Sequence, residues 1–214
     1  KGQLMTFVEA CRAWQAIHGS LPCRITFFFE GEEESGSPSL VPFMKEHAEE
    51  LKADIALICD TSMVSRGVPS IASQLRGMLK DEFTLVGPRI DLHSGHYGGP
   101  GLNPLREISR IVASFYDEET GKIAVEGFYE GVKEVPEDQM RQWEGCGFDD
   151  EDYLGSVGMT TAHGEEGFSP LELQWARPTL EVNGLWGGYN GKGSKTVMPS
   201  EAHCKITCRL GGDM

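Results

Sequence analysis

The chain has 214 residues, of which 39% are hydrophobic and 24% charged, enough to bury a sizeable core as one large domain or two small ones. The formal net charge of -14 repels phosphate backbones and argues against a nucleic-acid partner. No apolar run approaches the roughly 20 residues that span a bilayer, and residues 1–20 lack the basic-then-apolar pattern of a signal peptide.

In chain order, Leu4, Phe7, Val8, Cys11, Trp14 and Ile17 recur at spacings of three and four, one apolar face of a helix that ends at His18-Gly19-Ser20. Arg24–Phe29 (RITFFF) is short and continuously apolar, as in a strand covered on both faces. A loop, Glu30-Gly31-Glu32-Glu33-Glu34-Ser35-Gly36-Ser37-Pro38, leads to a second amphipathic segment with Leu40, Phe43, Met44, His47 and Leu51. Ile55–Cys59 (IALIC) predicts another buried strand, closed by Asp60-Thr61-Ser62. Helix, strand, helix, strand is the order of a parallel α/β sheet, whose ligand sites lie beyond the carboxyl ends of the strands. On that reading Glu30–Glu34 and Asp60 share one rim.

Near Gln74 the texture changes. Leu79–Val86 partly alternates and Arg89–His93 extends it. Asn103-Pro104 predicts a helix start, with Asn as N-cap and Pro at the first helical position, followed by an apolar face of Leu105, Ile108, Ile111, Val112 and Phe115. Residues 117–170 are acidic and weakly periodic, an insertion with short helices whose charges from Asp117 to Asp152 form a solvated face. Thr179–Val182 and Ala202–Leu210 predict strands, making residues 74–214 a small α+β domain after a catalytic-type part at 1–73. The six cysteines have no CxxC spacing; Cys11, Cys23 and Cys59 sit in or beside apolar elements, which fits buried reduced thiols of a cytoplasmic protein.

Like charges repel, so carboxylates crowded at a strand end make sense where cations sit. One glutamate can bind a metal while its neighbour takes a proton from water; the alternative is a solvated acidic loop. Asp60 is either a second ligand on that rim or a turn residue. His93, in Asp91-Leu92-His93-Ser94-Gly95-His96-Tyr97-Gly98-Gly99, is either a donor held out by a glycine-rich turn or a surface histidine. In the last strand Cys204, Ile206, Cys208 and Leu210 share one face and His203, Lys205, Thr207 and Arg209 the other. Arg209 therefore points away from the apolar side, free for a two-pronged contact with a carboxylate. Gly187–Thr196 is not a phosphate loop, because Gly193 follows Lys192 where Ser or Thr is required.

Four separated motifs, in order over nearly the whole chain, resemble metallopeptidase family twenty: Glu30–Ser37, IALICD ending at Asp60, DLHSGHYGG around His93, and GKGSKTVMPSEAHCKITCRL. The carnosinase-like dipeptidase branch looks closest. The resemblance implies a partial parallel-sheet zinc-peptidase domain plus a ferredoxin-like lid that pairs subunits. It implies Glu33 as general base, Glu34 and Asp60 as ligands to two zinc ions (manganese or cobalt being other candidates), and His93 steadying the oxyanion in the partner's site. Arg209, with Thr196 nearby, would hold the substrate carboxylate. The implied reaction is hydrolysis of a dipeptide or N-acyl amino acid by metal-activated water. The family site takes five protein ligands and two are present, so the resemblance also implies a chain cut from a longer enzyme and little activity on its own. The competing reading is a non-catalytic dimerisation module or a degenerate family member.

Overall fold

The computed structural model describes every residue except Lys1, Cys59, Ser62, Ser65 and Arg66. It divides into two compact units, Lys1–Met63 and Val64–Met214, against a boundary expected between 73 and 74.

In the first unit, α1 (Gly2–His18) forms where the apolar spacing predicts it, and α2 (Leu40–Glu46) starts as predicted but ends before His47 and Leu51, with a 3-10 turn at Glu33–Ser35 between the two helices. The two runs expected to be strands are a correction: residues 24–29 and 55–58 carry no strand pairing, and Cys59 lies outside the described residues. A run that is apolar on both faces needs neighbouring strands and covering helices. Here Phe29 is 58% and Ile58 84% exposed, so that cover is absent among the described residues. The packing that exists is local. Phe28 stacks on Phe43 of α2 with ring centroids 5.5 Å apart, and Arg24 donates to the Lys52 carbonyl.

In the second unit β1 (Gly77–Val86), β3 (Thr179–Gly187) and β5 (Glu201–Leu210) make an antiparallel sheet in the order β1-β5-β3. A two-stranded ladder joins β2 (Leu92–His93) to β4 (Val197–Met198). Alternation along β5 sets the layers. Ala202, Cys204 and Cys208 are buried on one face, and α4 (Pro104–Ala113) lies across them with Ile108 fully buried. As the sequence predicts, Asn103 caps α4 by accepting from the Leu105 N–H at 3.1 Å, and Pro104 opens the helix. A second cluster, Ile123, Leu180 and Cys208, meets the first through Ile206. This antiparallel sheet with a helix on one face fits the ferredoxin-like lid architecture.

The insertion carries α5 (Glu137–Glu144) and α6 (Asp150–Gly155), ahead of α7 (Pro170–Trp175). Every Asp and Glu from 117 to 152 is exposed, as a solvated face requires. Just beyond, the character reverses. Glu165 is 7% exposed and receives two hydrogen bonds from Arg177, each 2.7 Å, while the Phe168 ring lies 4.2 Å from the guanidinium carbon. The thiols also correct the expectation. Among the described residues the buried ones are Cys204 and Cys208, whose acidity burial suppresses, whereas Cys11 is half-buried and Cys23 exposed.

Candidate functional site

The carboxylate loop divides its labour. Glu32 accepts from the Ser39 N–H at 3.1 Å through its side chain, and its carbonyl accepts from Ser35 and Ser37, which ties the loop to the start of α2. Sequence reasoning missed this; the signal was a glutamate seven residues ahead of a helix N-cap. Glu33 and Glu34 are exposed, and their carboxylates make no hydrogen bond or ion pair with a described residue. A 3-10 turn has about three residues per turn, so their side chains leave the backbone roughly 120° apart. Asp60 is exposed in the same unit.

A second cluster lies in the Val64–Met214 unit. His93 ends β2 and caps α3 (Ser94–Tyr97), its Nδ1 accepting from the Gly95 N–H at 3.0 Å. A Cβ on Gly95 would come within 2.8 Å of the imidazole, so glycine there is what lets the ring sit over the turn. Nε2 lies 2.9 Å from Thr196 Oγ1. A nitrogen that accepts from an N–H carries the lone pair, so the proton of the neutral ring is on Nε2 and donates to Thr196. The Thr196 hydroxyl proton is then available to another acceptor. His96 stands beside His93, ring centroids 5.1 Å apart. Asp91 accepts from the Ser200 N–H at 2.8 Å, holding the β4–β5 corner against the β2 strand. This geometry makes a prediction. Nitrogen NMR shows His93 as the Nε2–H form, and Thr196→Val mixes the two tautomers; an Nδ1–H form in the unmodified protein contradicts the assignment.

Arg209 is exposed on the sheet face away from α4, opposite Met78 and Thr179, and its guanidinium makes no hydrogen bond or ion pair among the described residues. Within one chain Thr196 bonds to His93 rather than to Arg209. The turn from β4 enters β5 at Glu201, and the eight steps from there to Arg209 cover roughly 27 Å of strand. The His93–Thr196 pair and Arg209 thus sit toward opposite ends of β5.

Carboxylates are suitable donors for a divalent cation. Among the described residues, however, no group of three or more His, Cys, Asp or Glu side chains converges to hold one. Glu34 and Asp60 can therefore supply only part of a ligand set.

Residues 75–213 match the family model M20_dimer, a peptidase dimerisation domain. The chain belongs to metallopeptidase family twenty, in its carnosinase-like dipeptidase branch. It is 30% identical over 216 residues to the "Cys-Gly metallodipeptidase dug1" of Schizosaccharomyces pombe, covering 100% of this chain and 45% of the relative. The solved dipeptidase Dug1p of Saccharomyces cerevisiae superimposes with a TM-score of 0.73 at 30% identity, over 87% of this chain and 39% of that one. Human carnosine dipeptidase 1 does so with a TM-score of 0.73 at 26% identity, over 100% of this chain and 45% of that one. The chain thus spans less than half the length of the relatives it matches. The matched residues 75–213 lie within the Val64–Met214 unit and include His93, Thr196 and Arg209.

Proposed function

We propose that the protein is a metal-dependent dipeptidase that works as a homodimer, hydrolysing the amide of a dipeptide or N-acyl amino acid in the cytoplasm. The relatives named as metallodipeptidases support the reaction class, and the dimerisation-domain match supports the pairing. Glu34 and Asp60 are our candidate ligands for a pair of divalent ions, zinc first and manganese or cobalt next. When bound, the ions supply Lewis-acid activation of water and of the scissile carbonyl. The chain's own residues do the rest. Glu33, held off the ligand direction by the 3-10 turn, takes the proton from the attacking water and passes it to the leaving amine. His93 steadies the developing oxyanion with its one ring N–H, which turns to that oxygen from Thr196. Arg209 holds the substrate carboxylate. We place residues 1–73 in the catalytic domain and 74–214 in the lid.

One observation carries the dimeric reading. A dipeptide is far shorter than the strand between the His93–Thr196 end and Arg209, so one subunit cannot apply both groups to one substrate. A second copy can, its His93–Thr196 pair meeting the first copy's Arg209. The test is complementation in the full-length protein. His93→Ala and Arg209→Ala are each inactive alone, and a mixed dimer of the two regains one intact site. A mixed dimer as inactive as its parents overturns the shared site. The pairing-module alternative has one observation behind it, that the matching family model is the dimerisation domain itself.

A further inference from the structure

We propose that Arg76 is a second carboxylate-binding cation beside Arg209, so that the end of the sheet where β1 and β5 meet receives the substrate's terminal carboxylate between two guanidiniums. This rests on the reading of Arg209 as the carboxylate clamp and adds the residue that completes it.

The register places the pair. Gly77 faces Leu210 and Met78 faces Arg209, so position 76, one step before β1, lies on the same sheet face as Met78 and Arg209. Positions offset by two across an antiparallel pair are about 7–8 Å apart, within reach of long side chains. Arg76 is half-buried and anchored. Its Nη1 donates to the Leu173 carbonyl at 3.2 Å and the Arg177 carbonyl at 3.0 Å, both at the exit of α7. That closure depends on Gly211, where a Cβ would come within 2.4 Å of the Ala176 carbonyl oxygen.

Both Nη1 protons are thereby used, while Nε and Nη2 of Arg76 donate to no described residue, and the Arg209 guanidinium makes no hydrogen bond or ion pair among the described residues. Burial, then the neighbouring Arg209, hold the Arg76 guanidinium below the ordinary arginine value, and Tyr153 is the other titratable group close enough to act on it. Among the described residues no carboxylate acts on Arg76 to relieve the repulsion of the two cations. A carboxylate-terminated ligand does so with charge-assisted hydrogen bonds to both. An anchored cation suits this role, because one guanidinium edge is fixed by backbone and the other is left open.

The test uses the full-length protein and a pair of substrates, a dipeptide and its C-terminal amide. The expected result is that Arg76→Gln raises KM for the free acid by about tenfold or more, leaves kcat nearly unchanged, and erodes the preference for acid over amide. Loss on acid and amide alike overturns the proposal, because that is the mark of a purely structural anchor. If Arg209→Gln erodes the preference and Arg76→Gln does not, Arg76 alone is misassigned. If neither does, the Arg209 reading falls with it. A variant-independent check follows the arginine Nε–H NMR signals of the unmodified chain during titration with N-acetylglycine, with N-acetylglycinamide as neutral control. Movement of the Arg76 signal with the acid only is expected; a response confined to Arg209 overturns the proposal.

Discussion

Replacing Glu33 by Gln in the full-length protein lowers kcat for dipeptide hydrolysis by about 10²–10⁴-fold and leaves the bound metal in place. Glutamine keeps the size and shape of the side chain but cannot accept the proton. The turn explains why only one of three consecutive glutamates should behave this way. Glu32 is committed to the Ser39 N–H, and Glu33 and Glu34 diverge from the 3-10 turn. Glu34→Gln is the companion measurement. It is expected to lower metal content, because a neutral amide is a weaker ligand than a carboxylate. Wild-type turnover by Glu33→Gln with metal retained removes Glu33 from the role of base, and metal loss on that change reassigns it as a ligand.

Glu165→Ala destabilises the Val64–Met214 unit by about 3–5 kcal/mol. The carboxylate is buried and takes both hydrogen bonds from Arg177, whose side chain is only 12% exposed, with Lys122 further off at 3.9 Å. Removing one partner leaves a guanidinium under the Phe168 ring without its counter-charge. Replacing both partners with apolar residues of similar volume recovers most of the loss, because the pair's attraction largely offsets its own desolvation. Urea unfolding of the single and double variants beside the unmodified protein checks this. A loss below about 1 kcal/mol for Glu165→Ala, the range of a surface pair, means the bridge is solvated in solution. The location gives the pair its purpose. Glu165 closes the acidic insertion and Arg177 precedes β3, so the bridge pins an otherwise solvated excursion to the sheet. Arg177 also offers its carbonyl to Arg76, which couples the insertion's exit to the end of the sheet proposed to bind the carboxylate.

The parts of the fold legible in the sequence are those set by short-range rules. Asn103-Pro104 announced α4 because a cap and a fixed φ are local properties. The alternation of β5 announced which side of the sheet Arg209 occupies, because a strand has period two. The apolar runs at 24–29 and 55–59 were legible as hydrophobic, but pairing is a property of neighbours, and the described residues supply none. The site was legible in the same uneven way. The crowded glutamates and the His93 turn stand out as residue types, whereas the bond between His93 and Thr196 spans 103 positions and is made by the β2–β4 ladder. Arg76 was missed because one arginine before a glycine carries no signal until the register sets it beside Arg209. Nor did acidic composition separate the solvated carboxylates of 117–152 from the buried Glu165; a matched arginine twelve residues on was the only clue.

The most direct test of the central claim is metal content measured together with dipeptide hydrolysis on the full-length protein, before and after chelation. The account predicts about two divalent ions per subunit, hydrolysis of a free-acid dipeptide, and loss of that activity on chelation with recovery when metal is restored. A full-length protein that binds no metal and cleaves no dipeptide contradicts it, and leaves Glu33, Glu34 and Asp60 as solvated surface on a module whose work is pairing.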